Sequence, residues 1–218
     1  MAEAPVTFII IAITAVVSYV GLNNPDFFAR WKHYPYREHH EGEYLRLLTS
    51  GFLHADLTHF AINMFVFWSF GSMVEELLSS ASAGFAGIYW DPVMGHLVFA
   101  ALYLLTIVLA NVKTFLGRKD DRYYGAIGAS GAVSGTLFCY VLFAPWSTLL
   151  LYFVIPMPAI VAAVGFLAYS QYAAKRANDN VDHAAHFWGA VAMPLMLLAL
   201  APGIGAHFSK ALVEGWPF

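Results

Sequence analysis

Gly128-Ala129-Ser130-Gly131 opens an apolar run that continues through Ala132, Val133, Ser134 and Gly135 and closes at Ala144-Pro145-Trp146. Read as a helix, the run has about 15 residues and rises about 22 Å at 1.5 Å per residue. The hydrocarbon core of a bilayer is about 30 Å thick. With Pro145 and Trp146 at one interface, Ser130 at the other end falls short of the opposite surface. A hydroxyl set among glycines at that depth needs a cavity lined by protein or water. The stretch therefore reads as a nucleophile sunk in a membrane, served by an active-site loop built on Gly128 and Gly131.

The rest of the chain agrees with a membrane solvent. Of its 218 residues, 60% are hydrophobic, 17% aromatic and only 11% charged. Soluble domains carry roughly 25% charged residues. The mean hydropathy of +0.62 points the same way. A net charge of −3 argues against a nucleic-acid partner. The single cysteine, Cys139, excludes an internal disulfide, and no CxxC pair suggests metal or redox chemistry. The first apolar run lacks the basic start and small-residue cleavage site of a signal peptide, so it is expected to stay.

Working outward, the sequence predicts one all-α domain over 1–218 with six spans, at about 5–22, 57–74, 92–112, 130–144, 147–172 and 183–200. Asn23-Asn24-Pro25 ends the first span. A long first loop then runs to about Asp56, and its mix of Arg30, Trp31, Lys32, Tyr34, Tyr36 and Tyr44 favours the membrane interface. A connection of that length implies function or hidden secondary structure. Glu75-Glu76 close the second span. The Ser, Ala and Gly of 79–91 read as a loop. Pro145 divides the uncharged stretch from Tyr123 to Ala174, and Pro156 and Pro158 predict a kink in the fifth span. Asn178-Asp179-Asn180 mark the last polar loop, and Pro194 lies inside the sixth span.

Polar groups inside spans are costly and tend to be functional. Three sets stand out: His59 with Asn63, four apart on one helix face; Ser130; and His186, about one turn into the last span. Hydroxyl attack on a carbonyl needs a base, usually histidine, and donors for the oxyanion. Ser130 and His186 supply nucleophile and base. His59, Asn63 and the Ser130 backbone N–H, at a helix start, supply donors. Ser130, Ser134 and Gly135 face Ala185 and Gly189 across a small-residue seam that brings Ser130 to His186. No acidic residue in the spans can orient the imidazole, so the pair is a dyad. The plainer readings are that such a serine serves packing and that His59 and Asn63 glue helices at about 0.6 kcal/mol each. A further option is a metal site on His54, His59, His183 and His186. It leaves Gly128-Ala129-Ser130-Gly131 unexplained and lacks a carboxylate, so no metal or other cofactor is expected.

The chain resembles the rhomboid intramembrane serine proteases. The matching stretches are Arg46-Leu47-Leu48-Thr49-Ser50-Gly51-Phe52-Leu53-His54, His59-Phe60-Ala61-Ile62-Asn63-Met64, Gly71-Ser72-Met73-Val74-Glu75, Gly128-Ala129-Ser130-Gly131 and Ala185-His186-Phe187-Trp188-Gly189. Each is weak alone; together, in this order, they are specific. The resemblance implies a six-transmembrane-helix bundle that cleaves peptide bonds in or beside the spans of transmembrane protein substrates within the lipid bilayer. It implies Ser130 as nucleophile, His186 as base, and His59 with Asn63 in the oxyanion hole, with the fifth helix and the following loop as gate and cap. The chain departs from the family at Leu45, where tryptophan is common, and at Met193, where glycine is common; the second bears on helix packing. The rival reading is a non-catalytic rhomboid-like protein that binds or escorts membrane helices. Ten of the eleven Lys and Arg residues fall in the first, third and fifth loops, which by the positive-inside rule are cytoplasmic. The resemblance implies the reverse orientation, and the expected home is a bacterial inner membrane.

Overall fold

The apolar run from Pro5 forms α1 (Pro5–Asn23) in the computed structural model, which describes residues 4–80, 85–151, 154–176, 179 and 181–215. The side of α1 facing the protein is Thr7, Ile10, Thr14, Ser18 and Gly21, while Phe8, Ile9, Ile13 and Val16 are exposed. A helix with small and polar groups inward and large apolar groups outward suits lipid, not water, as its surroundings. The same outward display recurs at Leu57, Leu97 and Leu195.

The first connection is not a bare loop. It holds α2 (Pro25–Trp31), α3 (Pro35–Glu41) and α4 (Arg46–Thr49), followed by a 3-10 turn at Ser50–Phe52. Proline starts α2 and α3, where its missing N–H costs nothing. Asn24 ends α1 and caps α2, accepting from the Phe27 amide at 3.0 Å. Buried Arg46 pairs with Glu43 and donates to the carbonyls of Ala29 and Lys32 at 2.8 and 3.2 Å, so the segment stays anchored with Leu45 in place of tryptophan.

The next helices are α5 (Leu57–Ser79) and α6 (Pro92–Arg118), each capped by an aspartate, Asp56 and Asp91. Both outrun their expected ends at Val74 and Val112. Charge marks where the apolar layer stops, and a helix can continue past it with Glu76 or Lys113 reaching water. Glu75 is fully buried. Near the end of α5 it both caps and pairs: it accepts the first-turn amides of Val6 and Thr7 at 2.9 and 2.7 Å and the Thr7 hydroxyl at 2.7 Å, and lies 2.7 Å from His96 Nδ1. The carboxylate thus satisfies orphan donors at the positive end of α1.

After α7 (Ser130–Phe143) comes the main correction to the expected architecture. The region read as the start of a fifth span is a short antiparallel hairpin, β1 (Thr148–Leu151) with β2 (Ile155–Pro158), pairing Thr148 opposite Pro158 and Leu151 opposite Ile155. The chain is therefore mostly helical and not all-α. Pro156 and Pro158 do not kink a helix; they keep one from forming, because each removes a helix donor and clashes with the preceding turn. Helix α8 (Ala159–Arg176) begins only after them. Asn178 and Asn180 of the last polar loop lie outside the described residues. Helix α9 (His183–Leu200) runs through Pro194, and α10 (Gly203–Glu214) is an amphipathic helix that the apolar pattern did not announce. Among the described residues four helices, α1, α5, α6 and α9, are long and apolar enough to cross a membrane; α7, with 14 residues, is shorter.

Helix α7 sits at the centre, against α5, α6, α9 and α10. The core beside it stacks Phe67 on Phe99 and on Tyr103, with ring centroids 6.2 and 4.4 Å apart. Met193 and Leu197 of α9 complete it.

Candidate active site

Ser130 is the first residue of α7, and the turn before it depends on Gly128, whose φ of 119° is one that L side chains rarely adopt. A Cβ there would also lie 3.0 Å from the His59 ring. The Gly128 amide donates to Ser50 O at 3.0 Å, and Asn111 Nδ2 donates to Leu47 O at 2.9 Å, with Ser50 Oγ 3.3 Å away. A second tie is an antiparallel bridge between His33 and Ala126, 3.0 Å in each direction. The loop that delivers Ser130 is thus held against the short helices of the first connection.

His186 lies in the first turn of α9, which Asp182 caps by accepting the Ala185 amide at 3.0 Å. The two helices meet backbone to backbone. A Cβ on Gly189 would come 2.1 Å from Gly131 O, and one on Gly135 would come 2.7 Å from Gly189 O. Met193 does not prevent this approach: fully buried, it lies against Gly135 and takes the Thr136 hydroxyl on its sulfur at 3.6 Å. At the top of the seam the Ser130 hydroxyl and His186 Nε2 are 2.7 Å apart.

Both side chains line a cavity of about 320 Å³, together with His59, Asn63, Gly128 and Gly131. All six expected site residues therefore share one cavity. Asn63 Nδ2 donates to the His59 carbonyl of its own helix at 2.9 Å. His59 Nδ1 stands 3.5 Å from the Ala55 amide, which favours the tautomer with the proton on Nε2. Among the described residues no acidic group hydrogen-bonds the His186 ring. Its neighbours are rings instead: Phe166 of α8 lies 6.1 Å away at 30° and His183 5.8 Å away at 87°.

The arrangement depends on residues the sequence reading passed over. Phe166 was lost in an apolar run. Asn111 is a polar group inside a span, the very signal that singled out Asn63, yet it was not counted. Tyr124 falls in the uncharged stretch that starts at Tyr123, and Asp182 at the end of the last polar loop, and neither position marks a site. His54 is buried just ahead of α5, with Nδ1 2.9 Å from Ser18 Oγ, and holds the start of α5 to α1. The four histidines weighed as a metal site stand as two pairs, with His54 and His59 rings 4.9 Å apart. The one His/Asp group among the described residues with metal-like spacing is elsewhere: His39, His40 and Asp120, all exposed, bring ligand atoms within 4.8 Å of one another.

A multi-pass membrane protein that holds a serine–histidine pair in a cavity between its spans is the class these features define. The chain belongs to the rhomboid family: the rhomboid domain model matches residues 41–202. It is 28% identical over 149 residues to Rhomboid protein 1, mitochondrial, of Saccharomyces cerevisiae, a match covering 67% of this chain and 39% of that protein. It is 30% identical over 151 residues to the human Presenilin-associated rhomboid-like protein, mitochondrial, covering 66% and 35%. With Rhomboid protease GluP of Bacillus subtilis it shares 27% identity over 174 residues, 80% of this chain and 29% of that one. The chain thus spans about two-fifths or less of the length of these relatives. Two of the three are named mitochondrial, so they do not support the expected bacterial inner membrane.

Proposed function

We propose that the chain is a single rhomboid-like domain of six membrane-crossing helices, α8 and the short α7 among them, acting as a serine endopeptidase on transmembrane protein substrates. The observation that carries this reading is the 2.7 Å approach of the Ser130 hydroxyl to His186 Nε2 within a cavity that also holds His59 and Asn63.

The chemistry follows from those groups. A substrate segment unwinds beside the cavity, because a helical peptide bond is hydrogen-bonded and shielded. Ser130 Oγ attacks its carbonyl carbon while His186 Nε2 takes the hydroxyl proton. Negative charge then builds on the carbonyl oxygen. The donors for it are the His59 ring N–H, the Asn63 side-chain N–H left over from its bond to His59 O, and the Ser130 backbone N–H at the start of α7. The intermediate collapses, the amine leaves with the proton from His186, and an acyl-enzyme remains on Ser130. Water, deprotonated by His186, releases the acid and restores the hydroxyl. Ring packing from Phe166 and His183 takes the orienting role that a carboxylate has in a triad. The family's gate and cap would correspond to α8 and the segment after it.

The test is incubation with model transmembrane substrates, alongside labelling by a fluorophosphonate. Wild-type protein is expected to cleave and to be labelled at Ser130. Ser130→Ala and His186→Ala are each expected to lose cleavage by about 10³-fold or more, while both still fold. A Ser130→Ala variant that cleaves at the wild-type rate removes the mechanism. Wild-type protein that binds substrate helices but takes no label favours the escort reading.

A further inference from the structure

We infer that Tyr124 is a positioning residue: its hydroxyl on Asp182 ties the loop carrying the nucleophile to the helix carrying the base. The inference rests on the protease reading above.

Two backbone ties hold the Ser130 loop, at Ala126 and Gly128, and both lead to the first connection. Neither reaches α9. The glycine seam does join α7 to α9, closest at Gly131 and Gly189, and Gly131 also lies against the Ala185 carbonyl beside His186. That contact is packing without a hydrogen bond, and the first turn of a helix has free amides and frays, so a polar tie between the loop before Ser130 and the start of α9 adds to it.

Asp182 supplies that link. Its Oδ1 accepts the Ala185 amide at 3.0 Å, and its backbone carbonyl accepts the His186 amide at 3.2 Å. The remaining oxygen, Oδ2, accepts the Tyr124 hydroxyl at 3.1 Å. One carboxylate therefore sets the start of α9 with one oxygen and grips the opposing loop with the other. Tyr124 stands six residues before Ser130 and Asp182 four before His186. The phenol ring is held in turn by Arg118, whose guanidinium lies 5.1 Å from its centre. Burial, reinforced by the Asp182 charge, pushes the Tyr124 ionisation well up, so the hydroxyl stays a donor across the working pH range. The next residue back is a control of the same type: Tyr123 is 97% exposed.

The experiment resolves fluorophosphonate inactivation of the full chain into a binding constant and a maximal rate. Tyr124→Phe is expected to lower the maximal rate about tenfold, as a small misplacement of reacting groups does, with binding unchanged. Asp182→Ser keeps the helix cap, since serine caps about as well as aspartate, but has no second oxygen to accept the Tyr124 hydroxyl, and is expected to show the same loss. The double variant is expected to be no slower than either single one, the mark of one shared interaction. Tyr123→Phe is expected to match wild type. Tyr124→Phe inactivated at the wild-type rate, or fully additive losses, would overturn the clamp. If wild-type protein takes no label, the protease reading fails on its own. The clamp is then judged by hydrogen exchange: Tyr124→Phe must speed exchange at 125–129 and 183–186, and unchanged exchange there overturns it.

Discussion

The two helices that flank His186 are built in opposite ways. On one side, α7 buries ten of its 14 residues, and its glycines let the backbone of α9 press against it. On the other side, α8 buries only Ala159, Ala163, Ser170 and Ala173 of its 18 residues. Those four are small, and a Cβ added at Gly165 meets nothing within 4 Å. At the site α8 offers the Phe166 ring, which lies over His186 and beside Phe138, 5.9 Å away, and the exposed Tyr169, whose ring meets His183 edge-on at 5.5 Å. The seam locates the reacting pair by backbone contact that cannot rotate away. The α8 face covers the same pair with side chains that can. On the proposed protease reading, a site that holds two groups at bonding distance and still admits a polypeptide needs one wall of each kind.

The sharpest way to break this comparison is at Gly189. A methyl group 2.1 Å from Gly131 O has no rotamer to escape into, so the helices must part. Gly189→Ala is expected to cost about 3 kcal/mol or more, seen as a fall in Tm of roughly 10 °C in detergent. The labelling rate of Ser130 is expected to fall about 100-fold, since parting the seam moves nucleophile from base. An unchanged Tm and rate would mean that the close approach does not locate the pair.

Phe166→Ala probes the other wall. The ring is half-buried, and its loss is expected to cost about 1–2 kcal/mol, less than at Gly189. The labelling rate is expected to drop about tenfold because the imidazole loses the surface that orients it. Phe166→Tyr keeps that surface and is expected to restore the rate. A Phe166→Ala variant that labels normally would mean that the α8 ring does not orient His186.

How much of this was legible in the sequence divides along the same line. Ser130, His186, His59 and Asn63 could be named because each is a polar group inside an apolar run, where burial is costly enough to demand a reason. The glycine seam was legible from spacing. The α8 side was not, because Phe166 is one apolar residue among many and its role exists only through what it faces. The hairpin was missed because an uncharged run looks like a span whatever its backbone does; Pro156 and Pro158 spoke against a helix but were read as a kink. Tyr124 and Asp182 come together across 58 residues of chain, and no local pattern records such a meeting. Glu75 shows the same limit: that it closes a span was legible, the helix it meets was not.

The smallest expected effect sharpens the comparison furthest. Gly165 is exposed on α8 with open space around its Cα. In a helix interior, glycine to alanine gains about 0.5–1 kcal/mol by reducing the freedom of the unfolded chain. Gly165→Ala is therefore expected to raise Tm slightly and to leave fluorophosphonate labelling unchanged, because a small probe needs no movement of α8. Cleavage of a transmembrane substrate is a separate readout. If α8 must bend or shift to let a helix in, a stiffer α8 slows cleavage while labelling stays constant. If both rates hold, substrate enters without deforming α8 near Gly165. A fall in Tm, by contrast, would mean that the face is packed after all, and the contrast between the two walls would be lost.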